Sequence, residues 1–309
     1  MEAQVNNQTE TATGASAPIA TPTHNFILPR PYLSASAISN LLKCQRKFEF
    51  DYIENRPRKT SPAQLVGLVG HSTFESYYTD KLKGSYLLTG EQMSELAITF
   101  LEDKLLESEF SEPVDKDALI PSIKNTTTDY INFVGVPTTP KVVEEEIRYK
   151  SRCGVEILGY VDLIREPNEH ELAASTSQET AAPPSEILAD YKITGKKWPL
   201  ANLTKSLQFH LYAMATGIQS VEIQNVVNSK KKGTPKQTSV EHFLQPEQDL
   251  SSNIRLLRHT FPTSSFDHIE RIIEGAAKII TAGNFMPTDP SNWWCDPRFC
   301  DHYQECRGS

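Results

Sequence analysis

The stretch Glu186-Ile187-Leu188-Ala189-Asp190-Tyr191-Lys192 decides the fold. An apolar run leaves a polar loop and ends on a carboxylate, with a lysine two positions on. In a β-strand, residues i and i+2 share a face. Asp190 and Lys192 therefore stand side by side on a strand otherwise made of core residues. An acid and an ammonium carried together into a core are costly unless a metal or an anion compensates them. The pattern points to a site that holds a cation and a phosphate.

Upstream, Val142 to Tyr149 is β-prone, with three acids, Glu144 to Glu146, at its centre. Ser151 to Gly154 reads as a turn, and Val155 to Ile164 as a second strand, which predicts a hairpin. Asp162 falls near the end of that strand in an apolar setting. Acids are depleted in strands, so its presence asks for a reason. The plain alternative is a turn acid just past the strand. Residues 166–186 are rich in Pro, Ala, Ser, Thr and Glu, an acidic low-complexity insertion between two strands.

Helices are expected on both sides of this sheet. Residues 34–54 carry Ile38, Leu41, Leu42, Gln45, Phe48 and Tyr52 at helical spacing, with Ser34 or Ser36 as N-cap. A second helix, 62–80, contains Gly67 and Gly70, each costing about 1 kcal/mol relative to Ala. Helical glycines imply close packing, and His71 follows directly. A lone His is more often structural than a ligand. Residues 91–108 and 117–134 read as amphipathic helices. After the loop Thr194 to Pro199, which holds Lys196, Lys197 and Trp198, residues 202–217 predict a helix. On it Gln208 and Tyr212, at i and i+4, project from one face. Short strands are expected at 221–228 and 239–244, bracketing Lys230, Lys231, Lys232 and Lys236. Phe266 to Ala282 is strongly periodic and ends at Gly283.

The 309 residues suffice for a large core. No apolar run approaches the roughly 18 residues needed to span a bilayer. No signal-peptide pattern is visible, so the expected compartment is the cytoplasm. The net charge of −8 is concentrated. Residues 1–26, read as a disordered tail, and the insertion 166–186 have seven acids and no Lys or Arg, leaving the remainder at −1. A near-neutral body can still carry a basic face, because steering follows charge distribution.

Three of the five cysteines, Cys295, Cys300 and Cys306, fall within twelve residues. In a cytosolic chain such clustering suggests metal more than disulfides. Three thiolates need a fourth ligand. Cys44 is the best candidate, because Cys153 falls at the hairpin turn as a small packing residue, but His302 is an alternative in a zinc site. All-thiolate ligation suits an iron–sulfur cluster or zinc.

Taken in order, these residues resemble the PD-(D/E)XK nuclease superfamily in its RecB-like and AddB-like branch. That branch includes CRISPR-associated iron–sulfur exonucleases and phage nucleases. The resemblance covers roughly residues 31–306. It is carried by Gly-Leu-Val-Gly-His at 67–71, Gly-Tyr-Val-Asp at 159–162, Asp-Tyr-Lys at 190–192 and Gln-Phe-His-Leu-Tyr at 208–212. One early and three late cysteines complete the order. It departs from the family pattern in Gln45 after Cys44, where many relatives have Pro, and in Asp190 where Glu is common.

The resemblance implies an α/β restriction-endonuclease-like core, a mixed sheet flanked by helices, as one domain over 27–309. It implies that His71, Asp162, Asp190 and the Tyr191 carbonyl bind Mg²⁺ or Mn²⁺, with Lys192 assisting the attack on a phosphodiester. Gln208 and Tyr212 correspond to the family's Gln-x-x-x-Tyr helix, and Glu75 is a weaker addition. Cys44, Cys295, Cys300 and Cys306 match the family's [4Fe–4S] pattern, the segment 293–306 closing on Cys44. The expected activity is a metal-dependent deoxyribonuclease, an exonuclease on DNA ends or single strands, in repair, recombination or phage and CRISPR-type processing. A helicase, recombinase or adaptation-complex protein is the expected kind of partner, and a membrane is not. Lys196, Lys197, Trp198, Lys205, Lys230, Lys231 and Lys232 are candidates for DNA contact. The competing readings are an inactive nuclease-fold DNA-binding protein and a zinc-stapled interaction module.

Overall fold

The computed structural model describes residues 26–169, 171–172, 184–236 and 245–308. The tail expected at 1–26, save Phe26, lies outside them, as do most of the insertion 166–186 and the strand expected at 239–244.

The chain opens with a short strand, β1 (Tyr32–Leu33), and α1 (Ala35–Lys43), whose N-terminus is capped by Ser34 accepting from Ala37 N–H. The single helix expected over 34–54 is broken. Cys44 is extended, at φ −158°, and α2 (Gln45–Phe48) restarts beyond it and widens into a π-helical turn at Glu49–Ile53. Next come α3 (Pro62–Leu82), α4 (Gly90–Glu107) and α5 (Lys116–Tyr130). The hairpin is β2 (Pro140–Lys150) and β3 (Glu156–Arg165), followed by β4 (Ile187–Thr194). The helix expected at 202–217 is two, α6 (Leu200–Thr204) and α7 (Leu207–Thr216). The chain continues with β5 (Ser220–Val227), β6 (Glu247–Asp249), β7 (Ile254–Thr260), α8 (Phe266–Ala282) and α9 (Tyr303–Arg307). α8 stops at Gly283, whose φ of +65° a side chain would resist.

The strands form one mixed sheet. β3 pairs antiparallel with β2 along its length, β4 is parallel to β5, and β5 continues through β7 to β6. The other edge of β3 is shared. β1 pairs with it at Glu156 and Ile157, and β4 only at Leu163, Ile164 and Arg165. Between those contacts the two central strands part, and the gap positions the site.

Helices cover both faces, as alternation along β4 shows. Ala189 and Tyr191 cluster with Phe74, Tyr77 and Tyr78 of α3. Leu188 clusters with Leu203, Phe209 and Tyr212 on the α6–α7 side. A further cluster joins α1, α7 and α8 through Ile38, Leu41, Leu211, Ile269 and Ile273. At the closed end of the gap, Arg165 donates to Glu222 of β5 (2.7 Å) and to Glu171 (2.8 Å), and Arg258 of β7 donates to Glu222 (2.8 Å). These charges are buried and cross-paired, as interior ions must be.

Candidate active site

α3 delivers His71. Its start is fixed by a capping box, Ser61 and Gln64 exchanging side-chain hydrogen bonds with each other's backbone N–H groups. A Cβ on Gly70 would stand 1.8 Å from Ile193 Cδ1, so this glycine lets the helix rest against β4. Gly67 meets nothing within 4 Å, and the close packing expected there is absent. His71 Nδ1 lies 3.6 Å from Asp162 Oδ2, and its ring meets the Tyr191 ring at 5.0 Å. Burial lowers the His71 pKa, only partly offset by the attraction of Asp190. The imidazole is thus neutral at neutral pH and has a lone pair to offer.

Asp162 is inside β3, so the turn-acid alternative is excluded. Its Oδ2 accepts from Tyr191 N–H at 3.2 Å. Burial, then repulsion from Asp190, pushes its carboxyl well above the ordinary range. Asp190 is buried. Its Oδ2 faces Lys192 Nζ at 2.7 Å and its Oδ1 accepts from Gln208 Nε2 at 3.3 Å. Burial would lower the Lys192 pKa, but Asp190 and Asp162 outweigh it and hold the ammonium charged. Gln208 Nε2 also reaches the Tyr212 hydroxyl at 2.9 Å. Burial pushes the Tyr212 phenol up, so it stays protonated. The Tyr212 ring lies against β3 at Gly159, where a Cβ would meet Tyr212 Cε1 at 2.8 Å.

The sequence reading missed Glu144, on β2. One ligand atom each from His71, Glu144 and Asp162 lie within 4.8 Å of one another. Glu144 has φ +50°, a left-handed backbone inside a strand, which costs roughly 1–2 kcal/mol for a residue with a side chain. Burial, then Glu75 and Asp190, pushes its carboxyl up to about 7. Glu75 itself is exposed. Three acids mid-strand were the available signal, but nothing in them singles out the inward one.

Asp162 and Asp190 thus share one lysine, and Glu144 stands beside them half-buried. A neutral imidazole and an excess of carboxylate oxygens form a hard donor set that fits a divalent cation such as Mg²⁺ or Mn²⁺.

The PD-(D/E)XK nuclease superfamily model matches residues 32–307. The chain belongs to this superfamily. Nuclease chemistry, a DNA substrate and use of Mg²⁺ or Mn²⁺ are what PD-(D/E)XK membership suggests, and the mixed α/β sheet flanked by helices is consistent with its restriction-endonuclease-like fold. Among solved structures, the crystal structure of SSO0001 aligns with a TM-score of 0.33 and 14% identity, over 87% of this chain and 95% of that one. No curated protein matches the chain.

In this PD-(D/E)XK chain Cys44, Cys295, Cys300 and Cys306 line one cavity, together with Lys47, Phe50, Trp294 and Arg307. Cys153 is elsewhere, at the hairpin turn and against the α1–α8 core. His302 is committed to Asp51, Nε2 to Oδ1 at 2.9 Å, and does not line the cavity. Arg307 points an N–H at Cys295 Sγ (3.3 Å). Trp294 Nε1 and Arg307 Nε are buried without an acceptor among the described residues. Four sulfurs around a cavity with orphaned N–H donors fit an iron–sulfur cluster, whose sulfurs accept such hydrogen bonds.

Among the DNA-contact candidates, Lys196, Lys205, Lys230, Lys231 and Lys232 are exposed. Lys197 is paired with Asp249 at 2.9 Å. Trp198 packs onto the Leu203–Phe209 cluster, half-buried, rather than standing free for a base. No helix among the described residues is long and apolar enough to cross a membrane.

Proposed function

We propose that this chain is a Mg²⁺- or Mn²⁺-dependent deoxyribonuclease of the RecB-like branch, an exonuclease on DNA ends or single strands, built as one domain over 27–309. The observation that carries it is the convergence of His71, Asp162, Asp190 and Lys192 at the gap between β3 and β4, with Gln208 and Tyr212 braced behind them. When bound, a divalent cation supplies charge stabilisation to the phosphate and a more acidic water.

The chain's own groups do the rest. His71, Asp162 and Asp190, with the Tyr191 carbonyl, would hold the cation. Lys192 stays charged beside Asp190 and stabilises negative charge growing on the phosphorane-like transition state. Gln208 holds the Asp190 carboxylate in orientation, and Tyr212 in turn accepts from Gln208. Lys196 and Lys205 beyond β4, and Lys230 to Lys232 beyond β5, attract the phosphate backbone. The loops after these parallel strands are adjacent, Asn228 N–H donating to the Thr194 carbonyl at 2.8 Å. A [4Fe–4S] cluster on Cys44, Cys295, Cys300 and Cys306 would join the N-terminal helices to the C-terminus.

The test is cleavage of end-labelled single- and double-stranded DNA with Mg²⁺, Mn²⁺ or EDTA, comparing the parent with Asp190→Ala. Metal-dependent cleavage that vanishes in the variant is expected. Equal cleavage by both proteins would falsify the assignment.

A further inference from the structure

Glu144 stands opposite Asp162 across the β2–β3 ladder, since Val143 pairs with Leu163 and Glu145 with Val161. Its neighbour Glu146 is taken up on the exposed side by Arg148 (2.8 Å) and Tyr160 (2.9 Å). Glu144 is different. Among the described residues its carboxylate accepts no hydrogen bond and forms no ion pair, and the acids Glu75, Asp190 and Asp162 act on it. Yet the backbone adopts φ +50° at this residue. A half-buried carboxylate delivered by an unfavourable backbone, toward other carboxylates, has nothing among the described residues to compensate it.

A divalent cation would compensate it. Bonds from hard ligands are about 2.0–2.1 Å for Mg²⁺ and about 2.3–2.6 Å for Ca²⁺, so atoms bound to one divalent ion lie within about 4–5 Å of one another. The atoms of His71, Glu144 and Asp162 meet this limit, all lying within 4.8 Å of one another. Asp190 lies beside Lys192 (2.7 Å) and Gln208 (3.3 Å) without being closed to the same cation, because its buried Oδ2 accepts no well-aligned hydrogen bond among the described residues. We propose that Glu144 is a ligand of the divalent cation alongside His71 and Asp162, and that the left-handed backbone at residue 144 is the device that brings it there. This rests on the nuclease reading above.

The experiment titrates Mn²⁺ into the intact chain and follows loss of the free-ion EPR signal, in the parent, Glu144→Gln, Asp162→Asn and Glu75→Gln. Glu144→Gln and Asp162→Asn should each weaken Mn²⁺ binding tenfold or more, and Glu75→Gln should not. Metal-free melting of Glu144→Gln should be unchanged or higher. Glu144→Gly, which removes the backbone conflict as well, should melt higher than the parent without metal and bind Mn²⁺ as poorly as Glu144→Gln. Parent-like Mn²⁺ affinity in Glu144→Gln, with Asp162→Asn weakened, overturns the role of Glu144 and leaves the nuclease reading standing. Parent-like affinity in both overturns the metal site itself. A lower metal-free melting temperature in Glu144→Gly makes the side chain structural and also overturns the proposal.

Discussion

The backbone N–H of Tyr191 donates to the Asp162 carboxylate at 3.2 Å, and the Tyr191 hydroxyl donates back to the Asp162 carbonyl at 3.3 Å. Where β3 and β4 part, a side-chain oxygen thus replaces the carbonyl that a continued ladder would have offered. The split leaves the Tyr191 N–H satisfied, as a buried backbone donor requires, and it keeps Asp162 close to Asp190.

That closeness has a cost that can be measured. Burial, followed by Asp190, holds the Asp162 pKa well above its ordinary value, so the metal-free fold disfavours charge on this carboxyl. Asp162→Asn keeps an acceptor for Tyr191 N–H and removes one charge. We expect it to raise metal-free stability by about 1 kcal/mol, the usual gain when a functional site is relieved of its conflict. Activity should fall by more than the roughly 10–100-fold typical of changes one layer behind a metal. Thermal melting in EDTA and the cleavage assay read the two effects separately.

What was legible in the sequence was local. The Asp190–Lys192 pair, the hairpin and the periodic α8 follow from alternation and helical spacing, and the structure has them. The strand β7 was not seen because Arg255 and Arg258 interrupt its apolar pattern. Their partners, Asp249 and Glu222, are brought up by the fold. The breaks at Cys44 and between α6 and α7 escaped notice because apolar spacing runs through both. The backbone at Glu144 left no sequence signal, since only glycine advertises a positive φ.

The Arg165–Glu222–Arg258 group, which ties β3, β5 and β7 at the closed end of the split, predicts an acid-sensitive fold. Burial alone would raise the Glu222 carboxyl, but Arg165 and Arg258 overcome it and hold the pKa at about 2. A depressed acid contributes stability above its unfolded pKa of about 4.3, and that contribution is lost as pH falls toward 2. Glu222→Gln should cost about 3–5 kcal/mol at pH 7 by leaving buried guanidinium charge uncompensated, toward the lower end because Glu171 still faces Arg165 (2.8 Å). The penalty should shrink as pH falls from 4 to 2. Denaturant unfolding across that range checks both the size and the direction.

The cysteine cavity separates four thiols from the fifth. Anaerobically purified parent protein should be brown and contain iron and acid-labile sulfide. Cys44→Ser and Cys306→Ala should lose colour, iron and several degrees of melting temperature, because the cluster closes a loop of about 250 residues. Cys153→Ser, at the hairpin turn, should retain colour and iron. Loss of iron in Cys153→Ser, or parent-like melting and iron in Cys306→Ala, would remove the staple. A colourless zinc protein would replace it with another.

The loop after β5 is held too firmly to be an idle surface turn. Asn125 Nδ2 donates to the Lys230 carbonyl (2.8 Å), Asn253 Nδ2 to the Lys231 carbonyl (2.8 Å), and Gly233 N–H to the buried Asp129 (2.6 Å). Fixing the backbone this way leaves the three lysine side chains presented outward. If each contacts a phosphate, replacing Lys230, Lys231 and Lys232 by Ala should weaken DNA binding uniformly across sequences. It should also flatten the plot of log affinity against log salt by about 0.7 per lost contact on single strands, or about 0.9 on duplex. Turnover at saturating DNA should hold, because none of the three is among the groups assigned to the cation or the reaction. Asp129→Ala, which frees the loop without removing a lysine, should weaken binding while leaving the salt slope nearly unchanged. Fluorescence anisotropy between 50 and 200 mM salt distinguishes the two variants, and an unchanged slope in the triple variant would place the DNA elsewhere.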